Sequence, residues 1–115
     1  MKRIKSHLPI YGGQLLIIVA KNFTKAKKKY KVKLPRSFDV EDTVAFVCSG
    51  WHKDKFSYVI FVKPNASKST IAHECVHLTN EVYLHIHSPL KRNNDEHQAY
   101  ITGYFVEQVH KALKK

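Results

Sequence analysis

Cysteine is scarce in this chain: Cys48 and Cys75 are the only two among 115 residues. No disulfide framework is implied, so an apolar core must hold the fold, and both thiols read as small core residues in reducing surroundings. Glycine and proline are equally sparse, at four each, which excludes a collagen-like repeat or a flexible low-complexity linker. Long hydrophobic runs are missing as well. Leu15 to Ala20 is six residues, against the roughly 20 that a membrane-spanning helix requires. It follows Gly12-Gly13 and precedes Lys21 without a convincing cleavage site. Although Met1-Lys2-Arg3 is basic like the start of a signal peptide, this run therefore reads as a strand, and the expected location is the cytoplasm with no membrane partner.

Acid is missing from one part of the chain altogether. Residues 1 to 38 hold eleven Lys and Arg and no Asp or Glu, whereas 39 to 115 hold nine of each sign. The whole excess of +11 thus falls in the first third. Lys25, Lys27, Lys28, Lys29, Lys31 and Lys33 form its densest part, either a solvated helix face leading into a polar strand or a surface for a polyanion. No helix-turn-helix, zinc-finger or single-strand-binding signature accompanies them. Nucleic-acid contact through Lys25 to Lys33 would then go to phosphates with little sequence preference.

What the chain does contain is His73-Glu74-Cys75-Val76-His77. On a helix, residues four apart lie one above the other, so the imidazoles of His73 and His77 can reach a single Zn²⁺. Glu74 lies beside them, a carboxylate able to take a proton from a metal-activated water and later deliver it to a leaving amine. With eight His and five Glu in the chain, chance produces roughly 0.02 such matches, so the surroundings must support the motif. At 100° per residue, Ile71, Cys75, Leu78 and Val82 form an apolar stripe, and His73, His77, Asn80 and Leu84 lie opposite. Ala72, Val76, Thr79 and Tyr83 fill a flank. So little polar surface predicts a central, buried helix whose metal-binding face is turned away from open water. The alternative is a core helix carrying two hydrogen-bonded histidines.

A catalytic zinc usually has three protein ligands and one open position. His85, His87, Asp95, Glu96 and His97 are the downstream donors. Reading Asn94 to about Leu113 as a helix puts Glu96, Tyr100, Gly103 and Glu107 on one face, with Ile101 and Phe105 nearly opposite. If the first of these faces meets the motif helix, Gly103 permits close approach and Glu96 becomes the third ligand. Asp95 and His97 point to either side, Asp95 favourably placed at the positive end of the helix.

These residues resemble a known arrangement. His73-Glu-x-x-His77, eighteen further residues and then Glu96 is similar to the gluzincin pattern of zinc metallopeptidases, in which two motif histidines and a glutamate on the next helix bind the metal. Glu96-x-x-Ala99-Tyr100 and Gly103-Tyr104-Phe105 are similar to the second helix of small phage- and mobile-element-encoded peptidase domains of the ImmA/IrrE type. The resemblance covers about Phe56 to Leu113. Asn80 and Tyr83 stand where the metzincin pattern requires a glycine and a third histidine. Tyr100 stands where many gluzincins have an Asp that orients a ligand histidine. The resemblance implies a minimal zincin-like fold, in which an edge strand beside the site pairs with an extended peptide substrate. Thr43 to Ser49 or Phe56 to Val62 would serve as that edge.

The remaining elements follow from periodicity and breakers. Strands are expected at Gln14 to Ala20, Thr43 to Ser49 and Phe56 to Val62, and helices at Phe23 to Tyr30 and Ser67 to about Tyr83. Residues 1 to 10 are either loose or a short strand. Ser49 to Lys55 reads as the hairpin turn, Leu34-Pro35-Arg36-Ser37 and Lys63-Pro64-Asn65-Ala66 as breaks, and Ser67 or Ser69 as a helix cap. Phe56 to Val62 is apolar on both faces and should be covered on both. The expectation is one α+β domain over residues 1 to 115, a small, mostly antiparallel sheet packed on a metal-binding helix pair.

Function then reads as zinc-dependent hydrolysis of a protein or peptide substrate. His73, His77 and Glu96 would hold Zn²⁺, Glu74 would be general base and then acid, and Tyr100 is the nearest donor for the oxyanion. Tyr104, His97, His110 and His52 are more remote candidates. A basic nucleic-acid- or protein-binding module with a structural zinc is one rival. An SprT-like protease acting on DNA-bound proteins is another.

Overall fold

The computed structural model describes residues 1–8, 12–32, 43–52, 54–86 and 95–114. Four strands, β1 (Lys2–His7), β2 (Gln14–Val19), β3 (Ala45–His52) and β4 (Lys55–Val62), form one sheet in the order β1-β2-β4-β3. Three helices, α1 (Phe23–Tyr30), α2 (Lys68–His85) and α3 (Asp95–Lys114), pack on it. The chain is thus α+β, and its sheet is mostly antiparallel: only β2 and β4 run parallel, with Ile17 opposite Ile60 and Ile18 opposite Phe61. Of the described helices, none is long and apolar enough to cross a membrane.

Alternation along β2 and β4 explains why two layers form. Successive side chains of a strand point to opposite faces, so a strand apolar at every position must be covered twice. Leu15, Ile17, Val19, Tyr58, Ile60 and Val62 pack with Ile71, Cys75, Leu78 and Val82 of α2 and Ile101, Phe105 and Val109 of α3. Leu16, Ile18, Val59 and Phe61 face the other way, against Phe23 and Ala26 of α1 and Phe46 of β3. In that second cluster Phe46 stacks on Phe61 at 4.6 Å, and Phe23 meets both rings edge-on.

Local signals place the helix ends. Asn22 caps α1, its side chain accepting from the Lys25 amide at 2.9 Å, and Ser67 caps α2, accepting from the Thr70 amide at 3.1 Å. Lys31 ends α1 in the left-handed region, at φ 57°, so that the Val32 amide can donate back to the Lys27 carbonyl. Between β1 and β2, Gly13 has φ +82°, and a Cβ there would lie 2.9 Å from the Phe56 carbonyl oxygen. Only glycine satisfies both the dihedral and the close approach.

Several expectations change. Lys2–His7, either loose or a strand on sequence, pairs antiparallel with β2. β3 extends to His52 and pairs with Lys55, so the turn is far tighter than Ser49 to Lys55. Leu34-Pro35-Arg36-Ser37 lies outside the described residues, as do Lys33, His87 and Asn94.

The larger correction concerns α3. Its buried residues are Ile101, Phe105, Val109 and Ala112, while Tyr100 is 63% exposed and no atom approaches within 4 Å of a Cβ at Gly103. The face carrying Glu96, Tyr100, Gly103 and Glu107 is therefore the outer one. The apolar stripe gains by burial and turns inward, whereas sequence reading had turned the polar stripe toward α2. The helices instead meet at a flank, where the Thr79 and Thr102 hydroxyls hydrogen-bond at 2.6 Å, one donating to the other, and the accepting hydroxyl donates in turn to the carbonyl four residues back on its own helix. Phe105→Ala should thus cost about 3–5 kcal/mol of stability in urea unfolding. Tyr100→Ala should stay within about 0.5 kcal/mol of the parent chain; a loss matching that of Phe105→Ala would mean that the outer face is packed.

Candidate metal centre

The stripe of α2 comes out as its periodicity predicts: Ile71, Cys75, Leu78 and Val82 are buried against the sheet. The opposite side is not sheltered. His73 and His77 are exposed and Leu84 is 72% exposed, which corrects the expectation of a central, buried helix whose metal-binding face is turned away from open water. The sheet covers one side of α2, and α3 covers one flank only, through Thr79.

The Nε2 atoms of His73 and His77 stand 3.2 Å apart, their rings crossing at 76° with centroids 4.8 Å apart. Two nitrogens bound to one tetrahedral zinc at about 2.0–2.1 Å are about 3.3 Å from each other. The separation of the pair is thus that of two ligands of one ion. Without an ion, the same contact is a single N–H···N hydrogen bond. A Glu74 carboxylate oxygen completes the group, all three ligand atoms lying within 4.8 Å of one another. Partial burial pushes the Glu74 pKa upward, and the charges of His77 and then His73 pull it back.

No other described group of three His, Cys, Asp or Glu residues is arranged this way. Glu96 is not brought to it: the residue is exposed in the first turn of α3, on that helix's outer face. Tyr100 lies one turn further along the same face. Asp95 and His97 are exposed nearby. His85 is held elsewhere, stacked on Phe56 at 3.8 Å with the ring planes 10° apart, and His87 lies outside the described residues. The Tyr104 hydroxyl donates to the His7 carbonyl at 3.2 Å, tying α3 to β1. His52 ends β3, and His110 is half-buried on α3. Cys75 points into the core, where burial and then the charge of Glu74 push its thiol up to about 12. Packed in the core on the side of α2 away from the two imidazoles, it is not part of their group.

Beside Glu74 and His77 runs a groove of about 370 Å³ between α2 and β3, lined by Thr43, Ala45, Phe46, Val47, Glu74, His77, Asn80 and Glu81. β3 occupies an edge of the described sheet and β4 its interior, so of the two strands offered by sequence as the edge it is β3. Glu81 was absent from the sequence-based site. Its spacing, four residues after His77 and seven after Glu74, places it on the same flank of α2, but only the position of β3 makes that flank a groove wall.

No known protein family, curated protein or solved structure matches this chain. Assignment of the centre therefore rests on its geometry. Purified protein should retain a stoichiometric divalent metal, and His73→Ala or His77→Ala should lose it. Glu96→Ala should keep it, as measured by elemental analysis after dialysis. Loss of metal in Glu96→Ala, with retention in Asp95→Ala, would restore the third-ligand reading.

Proposed function

We propose that the protein is a zinc-dependent peptide hydrolase whose centre is built on His73, His77 and Glu74. The observation that carries the reading is the 3.2 Å separation of the two Nε2 atoms with a carboxylate in reach, at the mouth of a groove bounded by an edge strand. His73 and His77 would hold the ion; among the described residues no His, Cys, Asp or Glu besides Glu74 stands with them as a third protein ligand. When bound, zinc supplies Lewis acidity, lowering the pKa of a water to about 7 and polarising a carbonyl.

The remaining work falls to the chain. Glu74, partly buried and with its pKa raised, takes the proton of the attacking water on its carboxylate and returns it to the departing amine. The edge strand β3 offers main-chain groups to an extended peptide, giving affinity that is largely indifferent to sequence. The reading takes its two histidines and its glutamate from the motif that resembles the gluzincin pattern. It differs from it in the exposed position of Glu96 and Tyr100.

A second surface favours a polyanion contact. Lys25, Lys28, Lys29 and Lys31 are exposed on α1 or at its end, α1 has no acid in its first turn, and the helix packs on the sheet face opposite α2. Peptide and nucleic acid could thus be held at once on opposite sides, as the SprT-like reading requires. If so, duplex DNA affinity should fall steeply from low to physiological salt, with a log–log slope of about −0.9 per phosphate contacted. Replacing these four lysines by Gln should flatten that slope. Unchanged binding in that variant would leave the lysines as a solvated face.

The hydrolytic reading is tested through Glu74→Gln. Glutamine keeps the size of glutamate but cannot accept the water's proton, so metal content and fold should persist while peptide cleavage falls about 10²–10⁴-fold. A zinc-loaded parent protein that cleaves no unfolded protein or peptide library, or a Glu74→Gln variant that cleaves equally fast, would sink it.

A further inference from the structure

The register of the sheet sets part of the first strand beside α1. Arg3 of β1 lies opposite Ile18 of β2, and Ile18 packs in the layer that holds Phe23 and Ala26 of α1. Cross-strand partners share a face of the sheet, so Arg3 stands on the α1 side of an edge strand. On the helix, Lys25, Lys28 and Lys29 are exposed, and their spacing of three and four residues gives them one outward face. Val32 and Thr43, which flank residues 33–42, line cavities with β3 instead, and β3 is the opposite edge of the sheet from β1.

Where strand and helix meet there is an aromatic ring. The guanidinium carbon of Arg3 is 5.0 Å from the centroid of Tyr30, and the Lys29 ammonium is 5.5 Å from the same point. Two like charges converge on one ring, held by its quadrupole, and residues 1 to 38 contain no acid to offset them. Guarding an edge strand against pairing calls for charge, but not for a ring or for a second cation brought to it. Tyr30 is half-buried, so part of its side chain stays open to solvent.

Lysines on a helix face serve phosphates in any form of nucleic acid. The ring adds what a duplex uses little, because paired bases are stacked on one another and present only their edges in the grooves. An unpaired strand turns its bases outward, and these stack on tyrosine rings and on guanidinium planes alike. Arg3 over Tyr30 offers both in one place, and the pair is invisible in sequence because its members belong to separate elements.

We infer that α1 and β1 together form a binding surface for an unpaired nucleic-acid strand, with Lys25, Lys28 and Lys29 on its phosphates and Arg3 and Tyr30 on its bases. The inference rests on the polyanion reading of α1 and narrows it from any phosphate chain to one with free bases. It does not depend on the metal centre.

Fluorescence anisotropy with three probes tests this: a labelled oligo(dT), a labelled duplex of the same length, and inorganic polyphosphate as a competitor that has the charge without the bases. At equal salt the parent protein should bind oligo(dT) more tightly than the duplex. Tyr30→Leu, which keeps an apolar side chain at the end of α1, should weaken oligo(dT) binding about fivefold or more, the range of one lost stacked base. Tyr30→Phe should retain the parent affinity. Arg3→Lys keeps the charge but loses the plane, and it too should lower the preference for oligo(dT). Unchanged duplex binding by the same preparations shows that these variants are folded.

Equal affinity for oligo(dT) and duplex overturns the inference and leaves the polyanion reading intact. So does a preference that survives both Tyr30→Leu and Arg3→Lys, or polyphosphate that competes as well as unlabelled oligo(dT) at equal phosphate concentration. A Tyr30-dependent preference that persists undiminished when Lys25, Lys28, Lys29 and Lys31 become Gln upholds the ring and the guanidinium but removes the lysines from the surface. Binding of none of the probes at low salt overturns both readings.

Discussion

β4 has to be covered on both faces, and the rest of the structure depends on that requirement. Residues 57–62 are all buried, so the strand can only lie inside a sheet with helices on either side. β2 meets the same need on one flank through its parallel pairing. β3 closes the other flank and becomes an edge. Once those positions are taken, α1 is assigned to one layer and α2 with α3 to the other.

The candidate centre is a by-product of how α2 satisfies that requirement. Its apolar stripe is committed to Tyr58, Ile60 and their neighbours, which leaves the side bearing His73 and His77 facing outward. Helical spacing alone brings the two ring nitrogens together. The flank bearing Glu74 and Glu81 falls beside β3, and the Ser49 hydroxyl of that strand donates to Glu81. The candidate metal group and the groove thus share one helix but rely on different partners.

Charge is sorted by the same two layers. The lysines of α1 are carried on one side of the sheet, with Arg3 and Lys29 drawn over the Tyr30 ring. The groove on the other side is lined, among the described residues, by the carboxylates Glu74 and Glu81 and by no Lys or Arg. A basic surface and an acidic groove separated by a sheet give one small chain two electrostatic identities.

Much of this was legible in the residues themselves. The motif, the stripe Ile71, Cys75, Leu78 and Val82, the helix Phe23–Tyr30 and the doubly covered strand follow from periodicity, because they depend on contacts a few residues apart or on a face being apolar. The pairing of His73 with His77 belongs to this class, being a property of one helix turn. What the chain could not show on its own was which way α3 turns and which strand lies at the edge. Glu96 and Ile101 lie on opposite faces of α3, and a helical wheel displays both faces without saying which meets α2; the choice came from the burial of Phe105 and Val109 in the shared core. Glu81 likewise is one more carboxylate on a helix until strand order sets β3 and Ser49 beside it. Local geometry is encoded by neighbours in sequence, whereas the groove is made by residues more than thirty positions apart, whose meeting is decided only by how the two layers bury their apolar surface.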